Sequence, residues 1–241
     1  MKIIKSLALV LVLLAAVSCM VPTTIVYQLD SDVSLKDSWK ASISQNPTAK
    51  IVLRVPGYSK EITQAEMTTY ESLYNDIERK LLQAQFTVRD RSLLREVLTR
   101  AGGELSYSEI GKKVDTDIIL EIVSFQKGTL TGTTFTEGSA VPPTPVDVFG
   151  AVLEGRIILV ASGEVVGMFT IREIHPHPEY WIRPEGSRTY AVDVTEADID
   201  AMKSAITKKL ADLLKGLDVP PSRITRVGYA AAGSSGWGRS K

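Results

Sequence analysis

Residues Leu81–Leu98 read LLQAQFTVRDRSLLREVL, and this stretch decides the fold class. An apolar-periodic segment runs out near Ala84. Phe86-Thr87-Val88 then favours a strand, being aromatic and β-branched. From Ser92 onward Leu93, Leu94, Val97 and Leu98 return to helical spacing. Helix, strand and helix follow at once, with the triplet Arg89-Asp90-Arg91 at the second junction. A carboxylate placed there, just before a helix, can accept backbone N–H bonds and meets the positive end of the helix dipole. Asp90 is therefore a candidate cap, with Ser92 as its rival, and Arg91 is placed to pair with Glu96 or another acidic neighbour. A contact with a partner chain is the other reading of Arg89, Asp90 and Arg91.

Working outward, Lys50 to Val55 predicts a strand stopped by Pro56-Gly57. Met67, Tyr70, Leu73, Ile77 and Leu81 fall at steps of three and four, giving a helix over about 64–84 with Thr63 and Glu66 as a capping box. Gly102-Gly103 closes the helix after Leu98. A short helix leads to Asp117, and DIILEIVSF (Asp117 to Phe125) follows as a strand whose unbroken Ile-Ile-Leu implies burial on both faces. Lys127 to Val146, rich in Thr, Gly and Pro, is expected to loop out. Val152–Ala161 and Val165–Ile171 read as a hairpin around Ser162-Gly163-Glu164. A second insert, Arg172 to Val192, holds His175-Pro-His177-Pro. The last helix, about 196–216, is capped by Thr195 with Asp198 and carries Ile199, Met202, Ile206, Leu210, Leu213 and Leu217 as its stripe. The predicted class is α/β: a mixed sheet packed with helices, in the order β-α-β-α-α-β-β-β-α.

The ends read differently. MKIIKSLALVLVLLAAVSC has Lys2 and Lys5, an apolar run from Leu7 to Val17 and small residues before Cys19, which is the pattern of a secretory signal. The run is shorter than the ~20 residues that span a bilayer. AVSC (Ala16 to Cys19) looks like a bacterial lipobox, so Cys19 is the expected lipidation site; the plainer reading is an ordinary signal peptide. Cys19 is the single cysteine among 241 residues, which excludes an intrachain disulfide framework. The expected organisation is a signal peptide over 1–18, a lipidated cysteine and tether over 19–48, an α/β domain over 49–218 and a flexible tail over 219–241. Such a tether could reach on the order of 90 Å at ~3.3 Å per residue.

Charges balance at 28 basic against 28 acidic residues, and no basic excess marks a nucleic-acid binder. Loss of Lys2 and Lys5 takes the formal charge from 0 to 0 − 2 = −2. No Gly-x-Ser-x-Gly element is present, and GKK (Gly111 to Lys113) lacks the frame of a phosphate-binding loop. Glu104, Glu109, Asp115 and Asp117 lie close in sequence and could act as acid and base; solvated loop charges are the plainer reading, with Asp115 and Asp117 marking the turn into the strand. His175, His177 and Glu179 form the one conceivable metal set, set against a Pro-stiffened surface loop. The expectation is no enzyme and no cofactor.

Two blocks carry a resemblance. LLQAQFTVRDRSLLREVL, with Val88, Asp90 and Arg91, and IGKKVDTDIILEIVSF, with Gly111, Thr116 and Asp117, resemble the CsgG-like family of envelope lipoproteins. GRIILVASGEVVGMFTI resembles that family's strand pair. The resemblance covers roughly Lys50 to Leu214. It implies the scaffold shared by the curli secretion channel, flagellar outer-membrane lipoproteins, the TolB N-terminal domain and lipoprotein activators of peptidoglycan synthases. It further implies a non-enzymatic lipoprotein on the outer membrane, facing the periplasm, whose partners are other envelope proteins and which could self-associate. A secretion pore, with the 127–146 and 172–192 inserts as membrane hairpins, and a synthase activator are the alternatives. Prolines at 142, 143, 145, 176, 178 and 184 weigh against membrane strands.

Overall fold

The computed structural model describes residues 20–45, 48–54, 64–100, 105–175 and 194–231. Cys19, the leader before it, His177 and Glu179 lie outside the described residues, as do Thr63 and the glycines at 102 and 103. Strands are β1 (Met20–Leu29), β2 (Asp32–Leu35), β3 (Lys50–Arg54), β4 (Thr87–Arg89), β5 (Ile118–Thr136), β6 (Thr144–Leu159), β7 (Glu164–Ile174) and β8 (Ser222–Ala231). Helices are α1 (Asp37–Gln45), α2 (Gln64–Gln83), α3 (Arg91–Arg100), α4 (Tyr107–Val114) and α5 (Glu196–Leu214). Between Lys50 and Leu214 the element order is the one the sequence predicts.

The sheet runs β2-β7-β6-β5-β1-β8, and β3 joins β5 with β4 on its far side. β3 is parallel to β4 and to β5, whereas the other pairings are antiparallel, so the sheet is mixed. Alternation along the strands divides two faces. On one, Ile51, Leu53, Ile118, Leu120, Leu153 and Ile157 meet Leu73, Ile77 and Leu81 of α2 and Met202, Ile206 and Leu210 of α5. On the other, Val52, Ile119 and Ile158 meet Leu94 of α3 with Ile110 and Val114 of α4. Ile118, Ile119 and Leu120 are all buried, which is what an unbroken apolar run in a covered strand requires. Leu217 leaves the α5 stripe and is exposed, because the helix stops at Leu214 and Gly216 takes a positive φ.

Three stretches differ from expectation. Residues 19–48 were expected to be a tether with a short ordered piece near Trp39; α1 does form around a Trp39 that is 0% exposed, but β1 and β2 also lie there. Residues 127–146 do not loop out: β5 and β6 continue as a paired ribbon from Lys127↔Ala151 to Thr134↔Thr144. Residues 219–241 were expected to be a flexible tail, yet Ser222–Ala231 form β8. Threonine and β-branched residues suit a pleated ladder in all three, and for β1 and β8 the partner strand also lies far away in sequence.

The β5–β6 extension curls. A Cβ on Gly132 would meet Gln28 O at 2.6 Å and one on Gly150 would meet Glu173 O at 2.4 Å, so only glycine lets neighbouring strands approach this closely. Inside the curl Tyr27, Leu29, Val148 and Ile174 form their own core. Ser222 closes it by accepting from Ile174 N–H at 3.0 Å and donating to Glu173 Oε1 at 2.5 Å. Lys127, Thr129 and Thr131 are exposed on the ribbon, a polar side that hydrocarbon does not accept.

Candidate docking face and anchoring end

The three charges of the 89–91 junction go three ways. Asp90 Oδ1 accepts from Ser92 N–H at 2.7 Å at the start of α3, and these bonds to Ser92 hold its carboxyl below the ordinary range. Arg91 turns inward and is 14% exposed. It donates to Glu71 at 2.6 Å and to Asn75 and Glu78 at 2.9 Å, and lies 5.7 Å over the Tyr74 ring, so its partners are on α2 and not at Glu96. Burial raises the Glu78 carboxyl above the usual range, and Arg91 opposes that rise. Arg89 donates to the Asp115 carboxylate and to Asp115 O at 3.0 Å.

Asp115 and Asp117 complete the same end of the sheet. Asp115 ends α4 in the left-handed region and also pairs with Lys50 at 2.7 Å. Its carboxyl is held low, first by the Lys50 hydrogen bond. Lys50 N–H donates to Asp117 Oδ2 at 2.9 Å, and Thr116 Oγ1 donates to Lys50 O at 2.8 Å. Glu109 closes a capping box with Ser106, which lowers its carboxyl. Of the candidate acids and bases, Glu109 and Asp115 are thus kept ionised and bonded, whereas a general acid needs a raised value.

His175 is 2% exposed. Its N–H donates to Phe149 O at 2.9 Å, its ring meets the Phe149 edge at 5.9 Å, and Nε2 is 3.5 Å from Asp198 Oδ2. Asp198 belongs to the α5 capping box, and the Thr195 hydrogen bond holds its carboxyl low. His175 therefore lies in the wall between β6 and α5 instead of on a surface loop. Among the described residues no group of three metal-binding side chains occurs. A polar groove of about 430 Å³ separates α2 from α5, with Asp76, Arg79, Lys80 and Asp200 on its walls. Beneath it the buried Lys203 ammonium bonds Ser72 at 2.9 Å and Asp200 at 2.7 Å.

Beyond α3 and α4, no described element covers the second sheet face. Register places Arg54, Glu121, Arg156, Met168 and Ser34 side by side across β3, β5, β6, β7 and β2. Arg54 pairs with Glu121 at 3.2 Å, and Arg156 pairs with the same carboxylate, which raises the guanidinium value further. In the next row Ser124 donates to Glu154 at 2.8 Å. Met168 is 62% exposed, and Val123, at the register shift in β5, is 50% exposed. Met168 and Val123 are thus exposed apolar side chains on different strands beside the charged row. Sequence reasoning missed this row because each of its members comes from a different strand.

The remaining feature is the ribbon of β1 and β8. These strands pair along their whole lengths, from Met20↔Ala231 to Leu29↔Ser222. β1 also pairs with β5, but only from Ile25↔Thr136 to Gln28↔Thr133. Among the described residues, no helix is long and apolar enough to cross a membrane.

No protein-family model matches the chain, and no curated protein sequence matches it. Several solved structures are similar. The PelC dodecamer from Paraburkholderia phytofirmans is 13% identical with a TM-score of 0.33, over 80% of this chain and 97% of that one. A minor lipoprotein from Acinetobacter baumannii is 7% identical with a TM-score of 0.32, over 70% and 91%. A lipoprotein from Neisseria meningitidis is 13% identical with a TM-score of 0.35, over 68% and 99%. At these scores the shared likeness is a loose one of overall architecture.

Proposed function

We propose that this chain is a non-enzymatic envelope lipoprotein of the CsgG-like kind, held on the outer membrane through Cys19, with its body in the periplasm. On this reading it supports secretion or assembly at the cell surface by offering its open sheet face to other envelope proteins. The observation that carries it is that Cys19 ends an apolar leader and directly precedes β1. Support also comes from Glu109, Asp115 and Asp117, which are tied into caps and strand starts, while Glu104 lies outside the described residues. The Arg54–Glu121–Arg156 row with Met168 and Val123 is the surface we assign to the partner.

Two measurements test it. Cys19→Ala is expected to release the chain from membranes; tight association of that variant with vesicles after a carbonate wash contradicts lipid anchoring. A photo-crosslinking residue at Met168 is expected to capture an envelope protein in intact cells, while one at Lys127 does not. Capture of a penicillin-binding protein identifies a synthase activator, capture of a second copy identifies an oligomer, and equal yield from both positions removes the docking face.

A further inference from the structure

β8 is the last strand on one side of the sheet, and one hydrogen bond fixes which way its backbone faces. Glu137 N–H donates to Thr24 O at 2.9 Å, so Thr24 turns its backbone groups toward β5. In an antiparallel ladder successive residues bond opposite neighbours. Thr24, Val26 and Gln28 therefore bond β5, whereas Ile25, Tyr27 and Leu29 bond β8. Their register partners on β8 are Arg226, Ile224 and Ser222. The backbone N–H and C=O groups of Arg223, Thr225 and Val227 thus point the other way, out from the edge of the sheet. Among the described residues nothing pairs with them. Arg223, Thr225 and Arg226 are exposed, as is Val227 at 61%.

Sheet edges are commonly kept short, bulged or blocked by proline and lysine. The edge strands β2 and β4 are short, at four and three residues. β8 has ten, its register with β1 runs without a shift, and Ser222–Ala231 hold neither proline nor lysine. Such an edge can accept a further strand, with main-chain bonds giving affinity and alternate side chains giving selectivity. Selectivity at this edge is electrostatic. Residues 222–227 carry Arg223 and Arg226 and no acid, and the residues in register on β1, 24–29, carry none either. Arg223 donates to Gln28 Oε1 at 2.7 Å, a neutral acceptor. Among the described residues neither arginine pairs with a carboxylate. Glutamate or aspartate on an added strand would place opposite charges across the ladder, which favours pairing. A second copy of β8 would bring more arginine and no acid.

We propose that the outer edge of β8, over residues 223–227, takes up an extended acidic segment of another protein as an additional strand. This edge is separate from the Arg54–Glu121–Arg156 face, and its use does not depend on acylation of Cys19.

The full chain in detergent micelles is titrated into a short fluorescent peptide of valine and threonine interrupted by glutamates, and into the same peptide with lysine in place of glutamate. Anisotropy is expected to show the glutamate peptide bound several-fold more tightly, and Arg223→Glu with Arg226→Glu to reverse that order. Thr225→Pro removes one outward N–H and leaves the bonds to β1 in place. It is expected to weaken binding about three- to tenfold, as loss of one hydrogen bond does, while Thr225→Ala leaves binding unchanged. Hydrogen exchange in the free chain is expected to be faster at Arg223, Thr225 and Val227 than at Ile224 and Arg226, and the peptide is expected to slow the first three. Protection at Ile224 and Arg226 also reports whether Thr225→Pro has folded. A glutamate peptide with an N-methylated backbone makes the same distinction on the unaltered chain, where it is expected not to bind. No binding of the unmethylated glutamate peptide, or equal binding of the lysine one, overturns the proposal. Undiminished binding of the methylated peptide reduces the edge to a charge contact and also overturns it. Self-association of the chain that Thr225→Pro abolishes assigns the edge to a second copy instead.

Discussion

Replacing Arg91 by alanine probes the junction that opened the sequence. In the native structure its guanidinium serves Glu71, Asn75 and Glu78 and covers the face of Tyr74. Hydrogen bonds to charged groups contribute about 1.5–3 kcal/mol each, and removing one partner of a buried ion pair costs about 3–5 kcal/mol. Here the contacts share one cation and do not add, and Glu71 is 36% exposed, so solvent screens part of the loss. We expect about 3 kcal/mol at pH 7, which lowers Tm by roughly 6–12 °C in a domain of this size.

The sign of the pH dependence follows from Glu78. Burial raises its folded value above the unfolded one, so between the two the folded chain holds a proton that the unfolded chain has released. Stability therefore falls as pH rises through that window. Arg91 is the opposing influence; its loss raises the folded value further and widens the window. The deficit of Arg91→Ala is then larger at pH 7 than at pH 5, and Glu78→Gln in that background recovers part of it. Thermal melts followed by circular dichroism at both pH values measure this. A Tm change under about 2 °C at pH 7, or an equal deficit at both, would refute the assignment of Arg91 as the counter-charge of α2.

Three further changes have defined outcomes. Asp90→Ala removes the acceptor of Ser92 N–H and is expected to cost about 1 kcal/mol, as helix caps do; an unchanged chemical-denaturation midpoint would move the cap to another residue. Gly111→Ala places a Cβ at 1.9 Å from Val160 Cγ1, so overpacking between α4 and the turn after β6 is expected to cost about 1–3 kcal/mol, and Val160→Ala in the same chain should relieve it. Leu210→Ala, beneath the α5 stripe at full burial, is expected to cost about 2–5 kcal/mol; a loss under 1 kcal/mol would mean that α5 does not pack on the sheet.

What could be read from sequence alone was local. Ile118-Ile119-Leu120 announced a strand covered on both sides because burial on both faces leaves no polar alternation. The stripes of α2 and α5 were legible for the same reason, since helical spacing is visible within one window. β1 was not: Pro22 and two threonines read as linker, and its partner β8 lies about 200 residues away. β8 was hidden by Gly228 and the alanines after it. The 127–146 ribbon looked like a loop because it is rich in Thr, Gly and Pro, and Gly132 reads as a breaker unless the close approach of β1 there is known. At the junction, Asp90 could be placed from its position before α3, but Arg91 could not, because its acceptors Glu71, Asn75 and Glu78 are on another helix.

The pairing of β1 with β8 also bears on when the body can finish folding. Bringing Ile25 to Arg226 closes about 200 residues of chain, against about 10 for the β5–β6 turn. Loop-closure entropy makes the former dearer by roughly 3 kcal/mol, and contacts of such sequence separation form late. The β8 side of β1 must therefore wait until the last strand has arrived, whereas β5 can pair with Ile25–Gln28, and Val148 and Ile174 can cover Tyr27 and Leu29, before then. Pulse-labelled hydrogen exchange during refolding is expected to show the β8 amides gaining protection after those of β5 and β6.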